Sequence, residues 1–507
     1  MSPFKYDAMK QTILSAGTSV PMPNENISVS YGLVKTVEHY LDSAGILELA
    51  DTFKERGVPM SRIVVAMCTC ILMGSNSMTR CSDWLSDPNV SKEIGIDRIL
   101  SQRTINRALN ILGEHSDEIV AKLWSGLDSR YRFENTDVNI DGSAVVFNGP
   151  RSELGARGYP RDYKDQSREQ VEFMTAELQR SRIPFFIRAY PGNTSDAEQY
   201  RDIMPDLFSM IRKGSWMIMD NGGASGDILD SIVRSGNRYL TRVKMNISDD
   251  ERMKNGVDGW EYVEDGVCCL RHTFGSSGRT TYLFFTVDNM IRSYNAAERQ
   301  VDRMIDAIRT FEKGKFRKAD FVTVRRNVVA DIDVTVSVQT RFPYEGEDER
   351  NALILSLLDA RSGKFKLESS EQLTPLEALN KYRARSTVEH LIHSLKRITG
   401  LKPMRVWKES SIRGSMILAL LSETAMAMAR YELGKDRTET EGSNDMAVAD
   451  PRPSTESMVW SLGQLTVCRI VEKGKRKHAV HSNWDTISRA VFANIRGDLT
   501  SRSTFPT

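Results

Sequence analysis

Cysteine is scarce and scattered. The 507 residues hold six, at Cys68, Cys70, Cys81, Cys268, Cys269 and Cys468. Cys68 and Cys70 sit inside an apolar run and no CxxC pair recurs, which argues against a disulfide framework and against a zinc site. Reduced thiols in a cytoplasmic setting are expected. Long apolar runs are missing too: none approaches the 18 residues of a membrane-crossing helix, so no membrane partner is expected. The opening MSPFKYDAMKQTILSAG has no secretion-signal core. Net charge is almost absent, with 69 basic against 67 acidic residues and a formal +2. A nucleic-acid surface would therefore have to come from local clustering. No internal repeat is evident.

What is present is a globular composition, 40% apolar and 27% charged, at a length that suggests about three domains. Residues 1–30 are polar, carry Pro21 and Pro23, and read as a flexible arm. Residues 31–134 read as a helical domain. Within it Ser61–Met73 is apolar nearly all round and suits a buried helix. Ser101 is an N-cap candidate for a helix with Ile105, Leu109 and Leu112 on one side and Arg103, Asn106 and Arg107 on the other. That helix is either an ordinary bundle helix or a DNA-recognition helix using Arg103 and Arg107.

From about residue 135 the texture becomes α/β. Residues 137–147 read as a strand with Asp141 in its middle. Gln166–Arg180 reads as a helix, Phe185–Ala189 as a strand, and Trp216–Asp220 as a buried strand ending in a carboxylate. Ile228–Ser235 is a helix and Tyr239–Val243 a strand. Residues 135–245 form the first part of a core, and 246–372 read as a β-rich insertion. Its strand candidates are Thr280–Val287, Phe321–Val324, Val334–Thr340 and Ala352–Leu358, around a helix at Asn295–Phe311. Lys313, Lys315, Arg317, Lys318, Arg325 and Arg326 make its basic cluster. Residues 373–434 complete the core, 435–457 read as a linker, and 458–507 as an appendage with a basic knot at Lys473–Lys477.

Lys381–Gly400, KYRARSTVEHLIHSLKRITG, has no Gly or Pro before its end and is expected to run as one helix. On a 100° wheel Arg385, Glu389 and Lys396 fall within about 60° of Tyr382, opposite an apolar stripe of Val388, Leu391 and Leu395. The polar face is either a solvated stripe with i,i+4 charge pairs or a working surface. Two strand-borne acids upstream make the second reading worth testing. Carboxylates brought together from Asp141, Asp220 and Glu389 would repel unless cations lay between them. Oxygen donors of this kind select Mg²⁺ or Mn²⁺. The competing reading is ordinary strand-end Asp residues paired with Arg or backbone donors. His390 and His393 adjoin Glu389, and packing or phosphate contact suits them better than binding a metal that prefers oxygen.

Tyr382-x2-Arg385-x3-Glu389-x6-Lys396 resembles the signature of DDE insertion-sequence transposases of the Y-R-E-K branch. Ile140-Asp141-Gly-Ser and Met219-Asp220-Asn-Gly-Gly look like that family's first and second Asp blocks, and Pro191–Asp196 like a block between them. Leu373–Tyr382 and Gly400–Arg405 look like the approach to the Glu helix and its exit. Asn221 departs mildly from the small residue common there. The resemblance implies a ribonuclease H-like mixed sheet flanked by helices and a β-rich insertion before the catalytic Glu helix; the helical pattern of residues 31–134 adds an all-α N-terminal domain. It implies catalytic, metal-holding roles for Asp141, Asp220 and Glu389 with two Mg²⁺ or Mn²⁺ ions. Tyr382, Arg385 and Lys396 would position DNA phosphates over about 21 Å of helix; apart from the resemblance, the basic cluster of the insertion offers Lys315, Arg317 and Lys318 as further DNA contacts. The implied partners are double-stranded DNA, as transposon ends and target, and a second copy in a synaptic dimer, acting at the nucleoid of a prokaryotic cytoplasm. Some relatives flip a base onto an aromatic, for which Trp260 and Trp407 are candidates, although a packing role suits each Trp better. The activity the resemblance implies is cut-and-paste DNA transposition, against which two alternatives stand. One is a catalytically idle DNA-binding regulator; the other is a ribonuclease H-like nuclease without strand transfer.

Overall fold

A computed structural model describes residues 4–7, 12–15, 18–21, 29–149, 152–158, 168–246, 248–249, 259–274, 278–312, 347–438, 452–472 and 475–501. Two compact units are present, Met1–Asn237 with Arg383–Thr507, and Arg238–Tyr382.

In the first unit, β1 (Phe4–Asp7), β2 (Thr12–Ser15) and β3 (Thr18–Pro21) pair as an antiparallel meander where an arm without regular structure was expected. After β4 (Val29–Ser30) come seven helices: α1 (Tyr31–Ser43), α2 (Ile46–Thr52), α3 (Met60–Leu72), α4 (Met78–Leu85), α5 (Pro88–Ile94), α6 (Gln102–Glu114) and α7 (Ser116–Tyr131). Every residue of α3 except Arg62 is buried, as its unbroken apolar sequence requires.

Four strands follow, β5 (Val138–Val146), β6 (Gln170–Leu178), β7 (Pro184–Pro191) and β8 (Trp216–Met219), in the order β8-β5-β6-β7. β5 runs parallel to β8 and antiparallel to β6, and β6 antiparallel to β7, so the sheet is mixed. β6 is a correction, because helix was expected there. All nine of its residues are buried, and its polar side chains are paired across the sheet and with neighbouring elements. α8 (Asp196–Met210) and α9 (Gly226–Arg234) pack against each other.

The second unit is an antiparallel sheet with helices beside it. Its strands are β9 (Arg238–Val243), β10 (Glu261–Glu264), β11 (Val267–Thr273), β12 (Thr280–Thr286) and β13 (Lys364–Ser369), in the order β10-β11-β12-β13-β9. α10 (Val287–Glu312) packs on α11 (Glu347–Ser356) through Ala297, Val301, Ile305 and Ile354. Arg350 of α11 ties the pair with bonds of 3.1 Å to Glu298 and 2.7 Å to Asp302. The apolar run at 352–358 was expected to be a strand. Most of it is helix instead, because a short apolar run fits either state and here it has a helical partner to pack against. Lys315, Arg317, Lys318 and the strand candidates at 321–324 and 334–340 lie outside the described residues.

α12 (Pro375–Arg383) and α13 (Ser386–Arg397) replace the single helix expected over 381–400. Next comes α14 (Glu409–Thr438), the core helix of the first unit, in contact with α1, α3, α6, α7, α13 and β7. By length and composition its Glu409–Gly434 stretch could cross a membrane, but it lies mostly buried here. α6 meets it with almost no gap. A Cβ on Gly113 would lie 1.7 Å from the Ser410 carbonyl oxygen, and one on Gly414 2.0 Å from that of Leu109. Both positions therefore require glycine. The C-terminal residues are integrated into the unit. α15 (Thr455–Gln464) packs on α1, β14 (Thr466–Glu472) pairs with β15 (Lys475–Ser482) and with β4, and α16 (Thr486–Ser501) packs on α15.

Candidate active site

Asp141 lies mid-strand on β5, paired across to Thr175 of β6. Asp220 is the residue after β8 and caps the turn Asn221–Gly223. Glu389 is in the first turn of α13. Three distant segments thus bring carboxylates into one region of the first unit, as expected from the sequence.

Asp141 Oδ2 receives a bond of 2.8 Å from the Arg385 guanidinium, and Asp141 Oδ1 accepts from the Gly142 amide at 2.9 Å. The other arm of Arg385 donates to Glu389 Oε1 at 3.1 Å. Burial pushes the Asp141 carboxyl up to about 6. Arg385 opposes that shift, and the charges of Asp220 and Glu389 add to it. The three acids are therefore close enough to feel one another, and one buried cation partly offsets their repulsion.

Asp220 is held differently. Its Oδ1 accepts from the Gly222 amide at 2.9 Å and from the Tyr200 hydroxyl at 3.2 Å. Tyr200, on α8, is fully buried, and burial together with Asp220 and Asp141 pushes its phenol well above its ordinary value. It therefore stays a hydroxyl donor. Tyr200 was not singled out from the sequence. A lone Tyr on a helix gives no sign that it points at a strand-end acid.

Several expected roles change. Because the chain breaks at Ala384–Arg385, the wheel drawn through Tyr382 does not carry across into α13. Arg385 is turned inward and only 8% exposed. Lys396, also 8% exposed, lies on the packed side with Val388, Leu391 and Leu395. The exposed face of α13 is Ser386, Glu389, His390, His393 and Arg397, and Arg397 Nη1 is 3.3 Å from His393 Nε2. Tyr382 belongs to the second unit, where its ring stacks on Phe365 at 6.4 Å. Trp407 is exposed, with Lys408 over its ring, and Trp260 is half-buried.

α6 matches its expectation closely. The Ser101 hydroxyl accepts from the Thr104 amide, Ile105, Leu109 and Leu112 are buried, and Arg103 and Arg107 are exposed. Lys54 lies near Arg98 and Arg107. Burial first, then those two cations, lower its ammonium. A cationic surface thus extends beyond the helix itself.

Among the described residues no three Asp, Glu, His or Cys side chains are drawn together tightly enough to hold a metal ion. Instead the Arg385 guanidinium sits on two of the three acids. The donors themselves are carboxylate oxygens, the chemistry a hard divalent cation takes.

The family model described as the transposase DDE domain matches residues 138–422. Asp141, Asp220 and Glu389 all lie within that span. One similar solved structure is the cryo-EM structure of the piggyBac transposase synaptic complex with hairpin DNA. It is 11% identical, covers 95% of this chain and 87% of that chain, and has a TM-score of 0.41. No curated protein matches the chain.

Proposed function

The chain belongs to the transposase DDE domain family, and on that premise we propose that it is a metal-dependent DNA transposase that excises an insertion sequence and joins it to target DNA. The observation that carries this reading is the assembly of Asp141, Asp220 and Glu389 from a mid-strand, a strand end and a helix, with Asp141 electrostatically coupled to the other two. The expected core is ribonuclease H-like, which the mixed β8-β5-β6-β7 order supports.

DDE domains generally use divalent cations. In this chain Asp141, Asp220 and Glu389 would hold them, two Mg²⁺ or Mn²⁺ in the fullest form. Bound there, such ions supply polarisation of the scissile phosphate and activation of the attacking water or 3′-hydroxyl. The protein's own contribution is placement. Tyr200 and the Gly222 amide fix the rotamer of Asp220. Arg385 holds Asp141 and Glu389 in reach of one another and keeps the pair from repelling while no metal is bound. Arg103 and Arg107 supply DNA phosphate contacts from an exposed helix face. Lys396, packed inside, is better suited to stability than to DNA contact. The working form would be a synaptic homodimer on double-stranded DNA in the cytoplasm.

The test uses linear DNA carrying the element's ends with Mg²⁺ or Mn²⁺. Asp141→Asn, Asp220→Asn and Glu389→Gln should each lower strand cleavage by roughly 10³-fold or more while gel-shift binding of the ends persists. Cleavage at wild-type rate by any of the three overturns the assignment. Joined products with a 3′-hydroxyl donor separate a transposase from a nuclease that only cuts.

A further inference from the structure

Alternate residues of a strand share a face, so Asn139 and Asp141 stand on the same side of β5, roughly 7 Å apart. Asn139 reaches the break that opens α13. Its Nδ2 donates to the Ala384 carbonyl at 3.1 Å and to Thr387 Oγ1 at 3.0 Å, and lies 3.3 Å from Glu177 Oε1. Its Oδ1 accepts from Gln179 Nε2 at 3.0 Å. That last bond fixes which end of the amide faces the helix. Thr387 adds a bond of 2.9 Å to the Ala384 carbonyl and a bond to Glu177. Asn139, Glu177, Gln179 and Thr387 are all buried.

The geometry has a direction. Ala384 and Arg385 form the break, Arg385 reaches back to Asp141, and Glu389 follows one turn later. Whatever grips Ala384 and Thr387 sets where Arg385 and Glu389 stand against Asp141. Apolar contacts alone would let α13 slide or rotate on β5, whereas a buried amide with fixed donors and acceptors admits one register. None of these polar residues belongs to the Y-R-E-K signature.

We propose that Asn139 and Thr387 are positioning residues that register the Glu389 helix on the Asp141 strand, and so set the spacing of the metal-holding acids. The proposal rests on the function argued above. Asn139→Asp keeps the volume but turns a donor toward Ala384 into an acceptor facing a carbonyl and a carboxylate. Thr387→Val removes the hydroxyl at constant shape, and Thr387→Ser keeps it.

Full-length protein is assayed three ways: gel shift on the DNA ends, single-turnover cleavage, and Mn²⁺ binding by electron paramagnetic resonance without DNA. Asn139→Asp and Thr387→Val should lose roughly 10- to 100-fold in cleavage rate and in Mn²⁺ affinity, with end binding held within about 2-fold. Thr387→Ser should stay within about 3-fold of wild type in all three, because the hydroxyl survives. Val491→Ala, a core truncation in α16, calibrates simple destabilisation and should leave rate and Mn²⁺ affinity in place. Asn139→Asp and Thr387→Val proteins that cut and bind Mn²⁺ like wild type overturn the proposal, as does a Thr387→Ser protein as impaired as Thr387→Val. A wild type that neither cuts nor binds Mn²⁺ overturns the functional reading with it, whereas an active wild type beside an equally active Asn139→Asp overturns the positioning role alone.

Discussion

Helices α6 and α13 are 13 and 12 residues long, both amphipathic and both furnished with cations, but they use those cations in opposite ways. α6 exposes Arg103 and Arg107. α13 buries Lys396, and Arg385 at its N-terminus is buried as well. The cause lies at their first residues. α6 starts at a Ser N-cap whose hydroxyl takes the Thr104 amide, and it runs without interruption. α13 starts at Arg385, which makes no side-chain cap and follows directly on a break after α12. In place of a cap, the start of α13 is tied to β5, where Asn139 donates to the Ala384 carbonyl and to Thr387 Oγ1. α6 thus keeps both arginines for solvent or a partner, whereas the tie at the start of α13 turns Arg385 inward while Glu389, His390, His393 and Arg397 stay exposed.

The largest effect that distinguishes the two helices should come from Arg385. Arg385→Ala leaves Asp141 buried without its cation and Glu389 without its partner. Removing one member of a buried pair costs about 3–5 kcal/mol, readable by denaturant unfolding at pH 7 without divalent metal. Added Mn²⁺ should raise the variant's midpoint more than the wild type's, since the guanidinium no longer competes for the acids. A variant as stable as wild type would show that Arg385 is not what balances the acids.

Glu423 gives the next effect. It lies on α14 and binds the Ser394 hydroxyl of α13. Burial pushes its carboxyl up to about 7, against the pull of Ser394 and Arg430. A carboxyl raised on folding favours the fold while protonated. Its contribution is full below the unfolded value of 4.5 and is lost as pH rises through about 7. The shift corresponds to something on the order of 3 kcal/mol. Glu423→Gln should thus gain stability over wild type as pH rises from 5 to 8, with the two melting curves closest at the acid end. A difference that does not change with pH removes Glu423 as the titrating group.

These residues show how far the sequence could be read. Asp141 and Asp220 stood out because an acid within or ending an apolar strand is costly, and Glu389 through its place in the Tyr382–Lys396 pattern; the structure brings the three into one region. α3, β7, β8 and β12 were legible from uninterrupted or alternating apolar runs. β6 was not. Its Gln170, Glu172 and Glu177, with Gln179 just after it, look like helix formers on a wet surface, but each is buried. Glu172 takes the side chains of Gln170 and Gln199, and Glu177 those of Asn139 and Thr387. Partners supplied by other segments convert a polar pattern into a core strand, and no local window contains them. The break at Ala384–Arg385 was hidden for the same reason. No Gly or Pro marks it, and the bonds that hold it come from β5, some 245 residues upstream.

Lys396 offers a gentler test of the contrast. Lys396→Met keeps most of the packed stem and discards the charge, so a change of under about 1.5 kcal/mol is expected from a roughly volume-conserving swap. DNA affinity and its salt dependence should not move, because the side chain is only 8% exposed. A loss of salt slope would return Lys396 to the DNA surface and weaken the distinction drawn between the two helices.

The smallest effect on the fold, and the most direct on binding, belongs to Arg103 and Arg107. Both side chains are exposed on α6, so Arg103→Ala with Arg107→Ala should change unfolding free energy by less than about 0.5 kcal/mol. Arg98 and Arg107 both lie near Lys54, and burial and these like charges already lower the Lys54 ammonium. A surface that gathers cations against their mutual repulsion gains most from an anionic partner. If each arginine neutralises one duplex phosphate, the double variant should flatten the plot of log affinity against log salt by about 1.8, at about 0.9 per contact. The loss should be similar on specific and unrelated duplexes, because phosphate contacts carry no sequence information. An unchanged slope would make α6 an ordinary bundle helix whose polar face is merely solvated. A slope change confined to one sequence would instead make it a reader of bases.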